Sequence, residues 1–172
     1  MRNPTRVFCC LPLPLVMACT AVGNPGDCGN PADGAFELTV TGSSVTELCG
    51  IAQSGPDRAE NWGLILLSTS SISNVAMGGS APGPVPGTYD IVDFVVNDAS
   101  PPKGSFVVLA IFSEAMLGTT LTSQDGSLTI DATSPTQVSG AFAFSALDGQ
   151  TDDVLEIEGS FTTEEVDSLL GL

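Results

Sequence analysis

Through most of this chain apolar residues recur at every second position, and a period of two leaves room for little except β-sheet. Phe36, Leu38 and Val40 alternate with Glu37, Thr39 and Thr41, and Leu128 and Ile130 with Thr129 and Asp131. Val138, Gly140, Phe142 and Phe144 alternate with Ser139, Ala141, Ala143 and Ser145. Leu155, Ile157, Gly159 and Phe161 do the same with Glu156, Glu158, Ser160 and Thr162. Successive side chains of a strand point to opposite faces, so each run has one apolar face and one wet face. Two runs, Trp62–Leu67 and Phe106–Phe112, are apolar throughout and are expected as central strands buried on both sides. Further strands are expected at 46–53, 72–77 and 88–96. Turn-forming pairs separate the runs: Gly42-Ser43, Gly78-Gly79, Pro101-Pro102, Asp125-Gly126 and Asp148-Gly149.

Eight or nine short strands joined by short turns predict an all-β fold, an antiparallel β-sandwich or a flattened β-barrel with mostly sequential hairpins. Helical periodicity is confined to the C-terminus. There Thr162 and Glu165 fit a capping box, Val166, Leu169 and Leu170 form one apolar stripe, and Gly171 would end the helix. A helix this short cannot stand alone and is expected to pack on a sheet edge or a barrel mouth.

The first 18 residues have a different character. Arg2 and Arg6 precede an apolar run from Val7 to Ala18, and the small Ala18 stands directly before Cys19. A spanning helix needs about 20 apolar residues. This run is shorter and is interrupted by Pro12 and Pro14, so it reads as a secretory signal at 1–18 rather than a transmembrane anchor. Val16-Met17-Ala18 and Cys19-Thr20-Ala21 also fit the cleavage site of an ordinary signal peptide. The segment Leu15-Val16-Met17-Ala18-Cys19 resembles the lipobox of bacterial lipoproteins. That resemblance implies cleavage before Cys19, a thioether-linked diacylglycerol on its sulfur and usually an amide-linked acyl chain. It thus implies a cell-envelope protein whose partner is the membrane, held by its lipid anchor. Thr20, rather than Asp, follows the cysteine, which in that family points to the outer membrane.

Residues 19–34 are then the lipidated cysteine and a Gly-, Pro-, Asn- and Asp-rich flexible tether, and 35–172 a single β-domain. Nine steps from Cys19 to Cys28 reach at most about 30 Å, so the domain is expected close to the bilayer. Of the five cysteines, Cys9 and Cys10 leave with the signal. Acylation of Cys19 leaves Cys28 and Cys49 as one pair, as does cleavage after Ala21. A Cys28–Cys49 disulfide would staple the incoming loop to the 36–41/46–52 hairpin and add about 3 kcal/mol by the loop-entropy account. Nothing of the C-x-x-C kind suggests redox activity.

All 20 acidic residues follow Cys19, against only Arg58 and Lys103, a formal balance of −18 for residues 19–172. Such a chain repels phosphate backbones and anionic headgroups, so no nucleic-acid partner is expected. The chain has no histidine, so it has no Ser-His-Asp triad, Cys-His dyad or imidazole metal site. A Ser-Lys dyad would need Lys103, which reads as a solvated turn residue. Glu156 and Glu158 share a strand face that reads as solvent, a poor setting for paired-carboxylate catalysis. The loop Asp148-Gly149-Gln150-Thr151-Asp152-Asp153 gathers three carboxylates, making Asp148, Asp152 and Asp153 calcium candidates, although its spacing is not that of an EF-hand and a polar hairpin turn accounts for it. Trp62 and Tyr89 are the two aromatics with a polar handle and are expected to pack in the core or at its edge. No cofactor is implied.

A second resemblance covers roughly the second half of the mature chain. Pro86-Gly87-Thr88-Tyr89-Asp90-Ile91, Gly126-Ser127-Leu128-Thr129-Ile130 and Val138 to Ala146 look like the G-x-Y turn, G-x-L-x-I strand and V-x-G-x-F-x-F strand of small all-β bacterial lipoproteins of unknown function. It brings no catalytic residues. The expectation is a non-enzymatic, lipid-anchored binding or structural module with a solid core. A barrel carrying a small apolar ligand is the alternative, and a carboxylate-only hydrolase the third reading.

Overall fold

The structure, a computed structural model, describes residues 34–42, 45–56, 61–68, 73–80, 83–97, 101–112, 119–166 and 169. Nine strands and one short helix follow in the order β1 (Ala35–Thr41), β2 (Val45–Pro56), β3 (Trp62–Ser68), β4 (Asn74–Gly79), β5 (Gly87–Ile91), α1 (Phe94–Asn97), β6 (Ser105–Phe112), β7 (Thr119–Thr133), β8 (Gln137–Asp148) and β9 (Val154–Glu165). Among the described residues no helix is long and apolar enough to cross a membrane. The signal segment, Cys19, the tether to Asp33, Cys28 and Arg58 lie outside the described residues.

The strands form a closed barrel in the order β1-β2-β3-β4-β6-β5-β7-β8-β9. Closure is made by β9, which pairs antiparallel with all of β1, from Ala35↔Thr162 to Thr41↔Glu156. Both margins of the sheet are thereby hydrogen-bonded, which removes the edges a sandwich would have to protect. Neighbours are antiparallel apart from two short parallel contacts, β5 on β6 and the end of β9 on β2. Among these strands the one departure from sequential order is β5, inserted between β6 and β7.

That insertion follows from a splayed seam. β6 and β7 pair from Leu109↔Thr122 to Phe112↔Thr119, and a bulge between Ser123 and Asp125 then bends β7 away. The end of β5 fills the gap. The buried Ser123 hydroxyl accepts from Val108 N at 3.0 Å and donates to Val92 O at 2.7 Å, joining three segments at one atom. Asp125-Gly126, expected as a turn, therefore lies inside the 15-residue β7. Gly126 is opposite Phe144 with φ +156°, and a Cβ there would fall 2.4 Å from Ala143 O. Gly78-Gly79, also expected as a turn, ends β4 against β6. The strand expected at 88–96 stops at Ile91, because Asp93 starts a helical turn by accepting Val96 N at 2.9 Å.

The one helix among the described residues is α1, not a C-terminal one. Thr162–Glu165, the expected capping box, continues β9. Before the start of β1, the carbonyls of β2 need donors, and described residues after β9 supply them: Val166 N bonds Ser54 O at 2.8 Å and Leu169 N bonds Pro56 O at 3.0 Å. Thr163 points inward, fully buried, and its hydroxyl meets Ser54 Oγ at 2.7 Å. These bonds to an existing sheet outweigh what one marginal helical turn offers.

The interior is one contiguous apolar cluster drawn from every strand. Its main construction device is a phenylalanine directly opposite a glycine on the neighbouring strand. The pairs are Phe36↔Gly50, Gly79↔Phe106, Gly126↔Phe144, Gly140↔Phe161 and Phe142↔Gly159. A Cβ built on Gly159 would sit 2.7 Å from Phe142 Cζ, and one on Gly140 3.0 Å from Phe161 Cζ. At Gly79, Gly140 and Gly159 the ring opposite occupies the volume that the glycine leaves open, whereas Gly50 makes room for the backbone of β3 at Leu67 and Gly126 for that of β8 at Ala143 and Phe144. Phe142 and Phe161 stack with centroids 6.4 Å apart, and Phe144 lies 6.0 Å from Phe142. In the other half Trp62 and Tyr89 both meet Phe106 edge-on, at 5.8 and 5.7 Å, arrangements that suit the ring quadrupoles.

Closure also corrects the expectation for the two apolar runs. Their inward residues, Trp62, Leu64 and Leu66 on β3 and Phe106, Val108, Ala110 and Phe112 on β6, are buried. Of the outward-facing residues Val107 is buried as expected, whereas Leu67 and Ile111 remain 40% and 38% exposed. A single-layer wall has an inside but no second sheet packed on its outside, and among the described elements only α1, which contacts β6 and β7, lies over part of it.

Candidate functional site

Among the described residues the inward side chains form one apolar cluster, and the polar candidates lie on the outer wall and in the loops. The β8–β9 turn carries the calcium candidates. Asp148 is buried and its carboxylate is turned to the protein: Oδ1 accepts Gln150 N at 2.7 Å, and Oδ2 receives the Thr119 hydroxyl at 3.5 Å. Asp152 and Asp153 are exposed. Asp152 holds φ +60°, a conformation Asp tolerates in turns, and its N–H bonds Asp148 O at 3.0 Å. Asp148 thus stabilises the turn locally. Among the described residues no group of three or more acid or thiol side chains is placed to hold a metal ion.

Two open depressions mark the outer wall. One, of about 380 Å³, is lined by Glu37 of β1, Asp131 of β7, Ser139 of β8, and Ser160 and Thr162 of β9. The other, of about 230 Å³, lies between Asp125, Ser145 and Glu156, over Gly126 and Ala143. There Ser145 donates to Asp125 Oδ1. Both depressions lie over small outward-facing residues, Ser139 and Ser160 in the first and Ala143 in the second. Sequence reasoning missed them: alternation identifies the outward residues, but only the register across β7, β8, β9 and β1 shows which of them meet. Glu37, Asp131 and Glu156 are exposed. Water surrounds these carboxylates, so the depressions lack the desolvated, paired setting in which carboxylates act as general acid and base.

The remaining candidates are placed as follows. Glu156 and Glu158 are exposed on β9. Lys103 is exposed in the Pro102–Ser105 turn, closed by Ser105 N to Pro102 O at 3.0 Å. Trp62 is 3% exposed, and its indole N–H has no hydrogen-bond partner among the described residues. Tyr89 packs against the core and donates its hydroxyl to Val85 O at 2.7 Å. Cys49 faces outward on β2 opposite Glu37, half-buried and engaged with a partner.

The outer wall is electrically two-sided. β1 and β9 carry Glu37, Glu156, Glu158 and Glu164, and β7 carries Asp125 and Asp131. β3, β4 and β6, which adjoin one another, carry no charged residue. No protein-family model, curated protein or solved structure matches this chain.

Proposed function

We propose that this chain is a non-enzymatic binding or structural module of a bacterial cell envelope, anchored by an acylated Cys19 and working through its outer surface. The observation that carries the reading is the filled interior. Five phenylalanines stand opposite glycines across the strands, three of them with the ring against the glycine, and the buried side chains form one cluster. A carrier needs an enclosed apolar cavity of roughly 300 Å³ or more, and the two depressions described above are open and lie outside. The anchor itself is supported by the layout from Arg2 to Cys19. Several acyl chains hold a protein firmly, since each buried methylene adds about 0.8 kcal/mol. Absence of Asp after Cys19 supports the outer membrane as its location.

The proposal includes a Cys28–Cys49 disulfide. Cys49 sits near the tether-proximal end of the sheet, paired with β1, and its side chain is not free. In the denatured, unreduced mature protein a thiol assay should then find no free sulfhydryl; two free thiols would remove the staple.

Detergent phase partition tests the anchor. The full chain expressed in a lipoprotein-processing bacterium should enter the detergent phase, with its N-terminal peptide heavier by the mass of the acyl groups. A chain starting at Thr20 behind a conventional export signal should stay in the aqueous phase. Full-chain protein that is water-soluble, with an unmodified N-terminal peptide, would refute the anchored reading.

A further inference from the structure

The barrel has one wall that differs from the rest, and the geometry points to that wall, formed by β3, β4 and β6 with Ile51 of β2, as the face that lies against the lipid surface. The inference rests on the anchored reading and adds the orientation of the domain. Register joins the wall into a continuous row: Ile51 is opposite Leu67, Leu67 opposite Asn74, and Asn74 opposite Ile111. A second row runs Ile65, Ala76 and Leu109. Ile51, Leu67 and Ile111 are 38–40% exposed. Next to them, α1 packs on β6 and β7 and leaves Val95 and Val96 at 69% and 78% exposure. An uncharged and largely apolar surface of this kind, broken in the first row only by Asn74, marks something the domain meets.

Two observations select lipid as that partner. The first is charge. Residues 19–172 balance at −18, yet the strands β3, β4 and β6 contribute none of it. A carboxylate pressed against a bilayer loses hydration and is repelled by anionic headgroups, whereas an uncharged apolar wall suffers neither effect. The β1–β9 wall, with the exposed Glu37, Glu156, Glu158 and Glu164, is then turned away from the membrane. The second is reach. Nine steps separate Cys19 from Cys28, at most about 30 Å, and Cys49, the proposed attachment point of Cys28, lies two residues from Ile51 on the same outward face of β2. Cys49 is also directly opposite Glu37 of β1, so a tether that short brings both flanking walls to the bilayer, and of the two only the uncharged one meets lipid without dehydrating carboxylates.

The test uses the acylated protein in phosphatidylcholine nanodiscs that contain a gadolinium-chelating lipid, with broadening of backbone amide signals as the readout. Amides of residues 63–67, 74–78 and 107–111 should broaden several-fold more than those of 37–41 and 156–160. The variant carrying both Leu67→Glu and Ile111→Glu changes partly exposed side chains and should stay folded while losing that contrast. Broadening that is even around the barrel, or strongest on β1 and β9, would overturn the inference. So would a wall protected from both the lipid-borne agent and a soluble gadolinium chelate, since a second copy or residues 20–33 would then cover it. The N-terminal mass of the same sample separates the two failures. If Cys19 is unmodified, the anchored reading falls. The wall is then tested on protein held to nickel-chelating lipid by an N-terminal histidine tag, where the same broadening pattern supports the lipid-facing wall and an even one refutes it.

Discussion

Phe142→Ala is expected to destabilise the protein by about 3–5 kcal/mol, the range for removing a packed aromatic side chain from a core. Phe142 is 3% exposed, stacks on Phe161, approaches Phe144 and lies over Gly159. Its neighbours cannot collapse into the space, because the strand opposite has no side chain at Gly159 to move. The loss is therefore a transfer term plus a cavity term. Against a total stability of about 5–15 kcal/mol for a domain, it should lower the urea midpoint substantially without changing its slope. The vacated space is apolar, and such cavities bind small aromatic molecules. Benzene should raise the melting temperature of Phe142→Ala and leave that of the wild type unchanged. A loss below about 1 kcal/mol, outside the usual range for such truncations, would mean that the ring is not packed as described.

The reverse change should be as damaging. Gly140→Val places branched bulk where a Cβ alone would lie 2.0 Å from Thr129 O and 3.0 Å from Phe161 Cζ. Thr129 O belongs to the backbone of β7, so the sheet itself must move. Overpacking of this kind costs about 1–3 kcal/mol and sometimes more, and valine on a strand with no room should reach or exceed the upper figure. Gly159→Ala is the milder arm, with a Cβ 2.5 Å from Glu37 O and 2.7 Å from Phe142 Cζ. Combining it with Phe142→Leu should cost less than the sum of the two single changes, because the ring and the new methyl compete for one volume. Gly149→Ala, whose nearest neighbour would be Thr120 O at 3.6 Å, is the control and should be close to neutral. Equal tolerance at 140, 159 and 149, read from urea midpoints, would contradict the ring-over-glycine packing.

Those same positions show what was legible in the residues. The runs around Phe36, Phe106, Phe142 and Phe161 announced strands because their inward positions are apolar, and the all-β class followed. The first half of β7 was missed because its inward residues include Thr119 and Ser123. Ser123 is acceptable inside only because Val108 N and Val92 O bond it, partners that no local pattern reveals. Thr162 and Glu165 match a capping box, but Thr163 between them is buried against Ser54, 109 residues away. Closure into a barrel depends likewise on β9 meeting β1 from the far end of the chain. Glycine inside a strand suggested a turn at Asp125-Gly126, whereas its role is to let the backbone of β8 approach at Ala143 and Phe144. For the site, the residue pattern located acids and hydroxyls correctly on wet faces. The depressions and the uncharged wall depend on register between strands, which alternation does not encode.

Ring-over-glycine packing is the claim on which the filled interior, and hence the non-carrier reading, depends. Its most direct test is the proton spectrum of the folded protein. With the rings of Phe106, Phe142 and Phe161 over Gly79, Gly159 and Gly140, the glycine α-protons should be shifted upfield by ring currents and show cross-relaxation to those rings. Ordinary α-proton shifts at these three glycines, with no ring contacts and cross-relaxation from a bound apolar molecule instead, would contradict the account.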